Sequence, residues 1–267
     1  MKILFLGDIV GRPGRDAIKS HLEFLKDTYK PDVFLVNGEN AAAGFGITPK
    51  IAEELFSMGI DVITLGNHAW DQQQIIPYLE QEKRIIRPLN YPVGTPGNGS
   101  TIMVTERGKR VLVLNAMGRI FMDAMNDPFR ETNEILKKYT LGANIDAIIM
   151  DFHAETTSEK NTMGHYLDGR VSLVVGTHTH IPTADTRILP GGTAYQTDIG
   201  MTGCYDSIIG MKHKAPLERM LHKVPRPRFE VAEGEGTISG IFVETDNKTG
   251  LANAIKPVRV GPHLINT

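Results

Sequence analysis

The chain has 267 residues, of which 41% are hydrophobic and 22% are charged, and its formal net charge is −2. This length is normal for an α/β enzyme with a large core, so we predict a single domain over residues 1–267. The small net charge offers no polybasic surface and argues against long nucleic acid or a membrane as a partner. Cys204 is the one cysteine, so no intrachain disulfide is available, and the apolar start is too short for a signal peptide. We therefore expect a cytoplasmic protein.

The N-terminal part of the chain alternates between predicted strands and predicted helices. Short apolar runs indicate buried strands at 2–8, 31–40 and 60–71. Helical spacing of apolar residues predicts helices at 15–29 and 48–59, and the second begins with a Thr-Pro pair that suits an N-cap and a first turn. This alternation predicts a parallel sheet with helices packed on its face.

The same alternation continues to residue 180 and then changes character. Further strands are predicted at 109–118, 145–155 and 171–180, with a helix at 130–142. Short β-rich segments then follow at 193–198, 236–250 and 251–260, with a Pro- and Arg-rich connector at 223–230. We expect the C-terminal third to add antiparallel strands, as a second sheet packed on the first.

Side chains of metal-ligand types stand where five predicted strands end. They are Asp8, Glu39, Asn40, Asn67, His68, His153, His178 and His180. Each has a structural explanation when taken alone, such as a helix N-cap for Asp8 or a satisfied core histidine for His153. The carboxyl ends of parallel strands lie along one edge of a sheet, so we expect the set to converge there. Acids, imidazoles and amides without a thiolate suit Mn²⁺, Fe or Zn²⁺, and the set is large enough for two metals.

The segment "GTHTH" at 176–180 contains two histidines one residue apart. In an extended segment, His178 and His180 point to the same face, because side chains alternate along a strand. Two imidazoles aimed at one point suit a metal, whereas the alternative is a pair of surface histidines on a loop.

The order of these blocks resembles a known superfamily. "GD" at 7–8, "GEN" at 38–40, "GNH" at 66–68, a lone His153 and "THTH" at 177–180 resemble the calcineurin-like metallophosphoesterases. Within that superfamily, "GDIVGRPGR", "NGENAAAGFGIT", "TLGNHAWD" and "TDIGMTG" resemble the YmdB-like phosphodiesterases over essentially the full length. The resemblance implies an α/β fold, a four-layer α/β/β/α sandwich with two mixed β-sheets.

The resemblance also implies two metal ions per chain, with iron and manganese favoured. One metal would be held by Asp8, Glu39, Asn40 and His180, and the other by Glu39, Asn67, His153 and His178. Glu39 would bridge the metals, a bridging water would become the attacking hydroxide, and His68 would protonate the leaving group. Arg12 is a candidate for binding phosphate at the start of the first helix, with solvated surface charge as the alternative. For Asp71 we favour capping of the next helix over orienting His68.

The chain departs from the superfamily pattern at several positions. Val10 stands where the superfamily has the histidine of its D-x-H block, and Ala69 stands where it has an acid after "GNH". Most members have aspartate at the bridging position that is Glu39 here. The segment "GENAAAGFG" lacks the arginine of protein phosphatases, which makes a phosphoprotein substrate less favoured and leaves room for a flat nucleoside.

These features favour a dinuclear metal phosphodiesterase acting on small cyclic nucleotides, with 2′,3′-cyclic nucleotides preferred by the resemblance. The partner would then be a small-molecule nucleotide, and a homo-oligomer stays open. One alternative is a phosphomonoesterase or nucleotidase with the same metals. A second is a regulatory protein that binds nucleotide or RNA, which would have no use for an unliganded His68. Metal-dependent amide hydrolysis is disfavoured, because "GDIVG" follows the first strand where those enzymes have His-x-His.

Overall fold

Strands and helices alternate through most of the computed structural model, which describes residues 1–222 and 228–267. Residues 223–227 of the predicted connector lie outside the described residues. The N-terminal elements are β1 (Lys2–Leu6), β2 (Asp8–Ile9), α1 (Gly11–Tyr29), β3 (Val33–Asn37), α2 (Pro49–Ser57), β4 (Val62–Thr64), α3 (Ile75–Gln81) and β5 (Ile85–Ile86). The central elements are β6 (Ser100–Val104), β7 (Arg110–Met117), α4 (Pro128–Leu136), β8 (Ala147–His153), α5 (Thr157–Leu167), β9 (Leu173–Thr177), β10 (Arg187–Ile188) and β11 (Ala194–Gln196). The C-terminal elements are β12 (Met201–Thr202), α6 (Lys214–His222), β13 (Ile238–Thr245) and β14 (Ala252–Val260).

Two six-stranded mixed sheets form the centre of the protein. The first sheet has the order β14-β13-β1-β3-β4-β5, and β13 is antiparallel to its neighbours on both sides. The second has the order β10-β11-β9-β8-β7-β6, with β10 and β6 antiparallel at its two edges. The short strands β2 and β12 pair in parallel beside them.

Alternate residues of the buried strands face different layers. From β1, Leu4 and Leu6 pack with apolar residues of α1, α2 and α3. Ile3 and Phe5 pack against the second sheet, among residues such as Val113. The outer face of the second sheet packs on α4 and α5. Both faces of each sheet are covered, which is why these strands read as continuous apolar runs. The predicted four-layer α/β/β/α sandwich is confirmed.

The prediction for the second sheet was wrong about which part of the chain supplies it. The second sheet consists of β6 to β11, from the middle of the chain, although the predicted strand at 193–198 does join it as β11. The antiparallel strands β13 and β14 extend the first sheet instead, with Lys2 opposite Glu244. Apolar runs show that a strand is buried but carry no information about its neighbours in the sheet.

Helix ends follow local capping chemistry. Thr48 caps α2 as predicted, since its Oγ1 accepts a hydrogen bond from the backbone N–H of Ile51 at 3.2 Å. The helix predicted at 130–142 begins earlier, because Asp127 caps α4 and Pro128 occupies its first turn. Across residues 1–222 and 228–267, no helix combines the length and apolar character needed to cross a membrane.

Candidate metal centre

The predicted ligands come from the carboxyl ends of strands in both sheets. In the first sheet, Asp8 follows β1, Glu39 and Asn40 follow β3, and Asn67 and His68 follow β4. In the second sheet, His153 is the last residue of β8, and His178 and His180 follow β9. We expected all these side chains along one edge of a single sheet. They lie instead along two edges, one from each sheet, and these edges meet at the same end of the sandwich.

One group of donor atoms surrounds the ring of His153, which is fully buried. His153 Nε2 lies 3.0 Å from Glu39 Oε1, 3.0 Å from Asn67 Oδ1 and 3.1 Å from His178 Nδ1. Ligand atoms of Glu39, His153 and His178 all lie within 4.8 Å of one another. The structure thus brings together the residues predicted for the second metal.

A second group of predicted ligand side chains surrounds His180. Its Nε2 lies 3.1 Å from Asn40 Nδ2 and 3.9 Å from Asp8 Oδ1, and Asn40 Nδ2 is 3.3 Å from Glu39 Oε1. Asp8 is fully buried, and its Oδ1 has no hydrogen-bond partner. A buried carboxylate oxygen without a donor is costly, and a cation is the partner that would satisfy it. These residues therefore fit a metal ion.

The two histidines of "THTH" do not extend β9. The backbone at His178 has φ 96° and at His180 φ 67°, so the expectation of two side chains on one face of an extended strand was wrong. Thr179 between them donates from its N–H and its Oγ1 to Asp198 Oδ2, at 3.2 and 2.7 Å. Asp198 also pairs with Lys160 at 2.6 Å, and both side chains are 1% exposed. This buried ion pair anchors the turn in which left-handed backbone aims one imidazole at each donor group.

Hydrogen bonds on the far side of each imidazole leave one nitrogen free for a metal. His180 Nδ1 lies 2.8 Å from the carbonyl oxygen of Ile209, so this nitrogen donates and Nε2 faces Asn40. His178 Nε2 lies 3.1 Å from Glu155 Oε2, which leaves Nδ1 facing His153. The sequence reasoning missed Glu155, although its place two residues after His153 is a signal that could have identified it. Such outer partners orient metal-binding histidines.

His68 lies beside the predicted metal ligands, and none of those ligand side chains contacts its ring. Its backbone N–H donates to Glu39 Oε2 at 3.0 Å, and its side chain is 28% exposed. Its Nδ1 lies 2.8 Å from Asp71 Oδ2, and its ring packs edge-on against Phe45. The expectation that Asp71 caps the next helix was wrong, because α3 begins at Ile75, four residues later. Asp71 instead orients His68.

Arg12 is placed on the first turn of α1 with its side chain 82% exposed. Its Nε lies 3.1 Å from Asp16 Oδ2, and it borders a cavity also lined by Arg15 and Ala43. Ala43 belongs to the turn that follows Glu39 and Asn40, so this cavity lies on the α1 side of the site. Phosphate binding by Arg12 stays a prediction.

Comparison with known proteins identifies the family. The family model described as "YmdB-like protein" matches residues 4–258. The chain belongs to the YmdB-like protein family. A 2′,3′-cyclic-nucleotide 2′-phosphodiesterase of Bacillus subtilis is 47% identical to this YmdB-like chain over 260 residues, which cover 97% of each protein.

Solved structures share the fold of this YmdB-like protein. A hypothetical protein of Thermus thermophilus is 43% identical with a TM-score of 0.90, over 97% of this chain and 99% of that one. A novel phosphatase of Mycoplasma pneumoniae is 36% identical with a TM-score of 0.90, over 97% and 93% of the two chains. The resemblance predicted from the sequence blocks is confirmed.

Burial and ion pairing together set the protonation of the buried groups in the metal-free YmdB-like protein. Burial raises the pKa of Glu39, but the charge of His153 and their hydrogen bond outweigh it and lower the pKa to about 2. Burial lowers the pKa of His153, but the charge of Glu39 and the same hydrogen bond raise it to about 9. Burial, then the charge of His153, lowers the pKa of His178 to about 3. Burial raises the pKa of Asp8 to about 6. At neutral pH, Glu39 and His153 therefore form an ion pair, while His178 is neutral.

Metal binding to the metal-free YmdB-like protein is expected to release a proton at about pH 7.5. His153 is protonated below its pKa of about 9, and a metal ligand must be the neutral imidazole. Below that pKa, each unit of rising pH should strengthen the apparent affinity for Mn²⁺ by up to about tenfold. Calorimetric titration in buffers of different ionisation enthalpy counts the protons. Uptake of Mn²⁺ without proton release at that pH would contradict the ion pair.

Gly66→Ala is expected to abolish metal binding. A Cβ at Gly66 would overlap Glu39 Oε2 and His153 Nε2, so the added methyl group displaces two predicted ligands. Gly94→Ala is the control, since a Cβ there meets no heavy atom within 4 Å and only the left-handed backbone is strained, by about 1–2 kcal/mol. Elemental analysis after dialysis measures bound Mn²⁺. A Gly66→Ala variant with the metal content of the wild type would show that these two side chains are not ligands.

Proposed function

We propose that this protein is a phosphodiesterase that uses two metal ions, iron or manganese, to hydrolyse 2′,3′-cyclic nucleotides. The name of the Bacillus subtilis relative supports the reaction. The observation that carries the proposal is the position of Glu39 between the two groups of proposed ligand side chains. Its Oε1 lies 3.0 Å from His153 Nε2 in one group and 3.3 Å from Asn40 Nδ2 in the other. A carboxylate shared by two ligand groups is what a bridged pair of metals requires.

The proposed ligands are the two groups already described. Asp8, Asn40 and His180 would hold one metal with Glu39, and Asn67, His153 and His178 would hold the other with Glu39. Carboxylate, amide and imidazole donors suit Mn²⁺ and Fe. When bound, the metals would supply an activated water at neutral pH and neutralise the oxygens of the phosphate.

His68 is the proposed proton donor. Its Nδ1 is engaged by Asp71, so its Nε2 is the nitrogen that can serve the substrate. The carboxylate of Asp71 orients the ring, so that Nε2 points away from Asp71. The leaving group of a 2′,3′-cyclic phosphate is a ribose hydroxyl, which needs a proton as its bond to phosphorus breaks.

The turn after β3 supports a small substrate. Ala41 and Ala42 are buried, and Ala43 and Gly44 continue the turn with left-handed backbone. The turn itself contributes small side chains and no arginine, and Ala43 lines a cavity that Arg12 and Arg15 of α1 border. This supports a free nucleotide as the substrate.

Two alternatives predict different results with a panel of substrates. A phosphomonoesterase or nucleotidase would use the same ligands on monoesters, and a regulatory nucleotide- or RNA-binding protein would bind without turnover. Assays of cyclic nucleotides, monoesters and linear diesters with Mn²⁺ and with Fe²⁺ test the proposal. It requires the highest kcat/KM on a 2′,3′-cyclic nucleotide, and a preference for monoesters or a lack of turnover would contradict it.

Three expectations from the sequence accompany this proposal. We propose that the protein is cytoplasmic. We also propose that its partner is a small-molecule nucleotide and neither long nucleic acid nor a membrane. Both a monomer and a homo-oligomer are compatible with the sequence. Gel filtration coupled to light scattering determines the oligomeric state.

His68→Ala is expected to keep its metals and to lose activity in a way that depends on the leaving group. General acid catalysis contributes about 10²–10⁴-fold, so hydrolysis of the cyclic nucleotide should fall by that factor. A nitrophenyl phosphodiester releases a stabilised phenolate that needs little protonation, so its hydrolysis should fall far less. Rates on both substrates are measured together with metal content.

His165→Ala is the matched control, because this histidine is exposed on α5. It should leave both rates unchanged. Equal losses on both substrates in His68→Ala, with metals intact, would mean that His68 positions phosphate and does not donate the proton. Loss of metal would make His68 a ligand.

Arg12→Ala is expected to raise KM more than it lowers kcat, because a side chain that binds ground-state phosphate contributes to binding. Asp16→Asn is the comparison, since it frees the guanidinium from its partner and should leave KM unchanged or lower. Steady-state kinetics on the cyclic nucleotide measure both values. An unchanged KM in Arg12→Ala would assign this residue to solvated surface.

A further inference from the structure

A buried carboxylate outside the proposed ligand set joins the two sheets beneath the donor groups. Asp151 on β8 is fully buried. Its Oδ2 accepts hydrogen bonds from Asn37 Nδ2 at 3.2 Å and from Thr64 Oγ1, both at the ends of strands in the first sheet. Its Oδ1 accepts from Thr177 Oγ1 at 2.7 Å, at the end of β9 in the second sheet. The apolar layer between the sheets therefore ends in a polar network next to the site.

The hydrogen atoms of this network allow one arrangement at His153. The hydroxyl of Thr177 carries a single hydrogen. Both oxygens of Asp151 receive hydrogen bonds, and in its ionised form this carboxylate can only accept. That hydrogen therefore lies between Thr177 and Asp151. The 2.9 Å contact between His153 Nδ1 and Thr177 Oγ1 must then have the imidazole N–H as donor. With Nδ1 as the donor to Thr177, the proton that His153 gives up when a metal binds is the one on Nε2, and the lone pair left on Nε2 would face Glu39, Asn67 and His178.

The same carboxylate is connected to the backbone of Glu39. Asn37 directs its Nδ2 at Asp151, which turns its Oδ1 toward the backbone N–H of Glu39 at 3.0 Å. Glu39, a predicted ligand from the first sheet, and His153, one from the second, are thus both connected by hydrogen bonds to Asp151.

We propose that Asp151 is a positioning residue of the metal centre, which acts through Thr177 to hold His153 with its proton on Nδ1 and through Asn37 to hold Glu39. The inference rests on the proposed ligand set. Outer hydrogen-bond partners of metal-binding histidines typically contribute about 10–100-fold in metal affinity. Here the hydroxyl of Thr177 lies between the carboxylate of Asp151 and the imidazole of His153, and through it the carboxylate determines that the proton of His153 stays on Nδ1.

The chain offers a matched pair of variants for the test. Thr177→Val removes the hydroxyl that contacts both Asp151 and His153 and keeps the shape of the side chain. Thr64→Val removes a hydroxyl that donates to the same carboxylate, and the polar contacts of Thr64 go to Asp151 and to the carbonyl of Val36, with none to a histidine. Thr177→Ser restores the hydroxyl. The affinity of each metal-free protein for Mn²⁺ is measured by titration, together with its stability to urea without metal.

Thr177→Val is expected to bind Mn²⁺ about 10–100-fold more weakly than the wild type. Thr64→Val should stay within about twofold, and Thr177→Ser should recover most of the affinity. Both valine variants should lose stability in the metal-free state, because each removes a hydrogen bond to the same buried carboxylate, and Thr177→Val should lose more because it also removes the acceptor of His153 Nδ1. Equal weakening of Mn²⁺ binding in both would mean general loosening and would overturn the proposal, as would wild-type affinity in Thr177→Val.

A spectroscopic measurement on the wild type keeps the test independent of how Thr177→Val folds. In the Zn²⁺-loaded protein, two-bond ¹H–¹⁵N correlations should show a hydrogen on His153 Nδ1 and none on Nε2. A hydrogen on Nε2 would overturn the assignment of the relay. Failure of the wild type to bind either Mn²⁺ or Zn²⁺ would instead remove the proposed metal site, and with it the function on which this inference rests.

Discussion

The candidate site depends on the burial of one negative charge, that of Glu39, whose side chain is 1% exposed. An unpaired charge at such a position would cost several kcal/mol. It is met by His153 from the second sheet, by the backbone N–H of His68 after β4 and by the amide of Asn40. These partners come from three different strand ends, so pairing this charge requires the two sheets to meet at one place.

Polar atoms between the sheets fix the position of one sheet relative to the other. Most of the inter-sheet layer is apolar, and apolar packing alone tolerates small shifts of one sheet against the other. The network around Asp151 is directional, and its donors come from β3, β4 and β9. A slip by one residue would point these side chains to the opposite face and leave a carboxylate buried without donors. The buried pair of Lys160 and Asp198 has the same effect on the turn at 177–180, because its carboxylate holds Thr179.

Much of the architecture and the donor set could be predicted from the sequence, because apolar runs that end in acids and imidazoles mark the strand ends. The four layers followed from the family resemblance. Strand partners could not be predicted, since nothing in the residues of β13 indicates that β1 is its neighbour. The turn at His178 and His180 was also unpredictable, because left-handed backbone at non-glycine residues is imposed by tertiary contacts, here those of Asp198. Thr177 contacts His153 across two strands, and such a pairing leaves no periodic pattern, whereas Asp71 lies only three residues after His68 and Glu155 two residues after His153.

The pairing of β1 with β13 has a consequence for how the protein acquires its fold. Lys2 lies opposite Glu244, so the second strand of this pair is synthesised long after the first. Contacts between such distant positions slow folding, because a very long loop must close before the contact is gained. Until then, β1 has β3 on one side and an unpaired row of backbone groups on the other, the kind of edge that associates with other chains. Asp8 lies two residues beyond β1, so its position depends on a strand whose sheet is completed only after β13 has joined it.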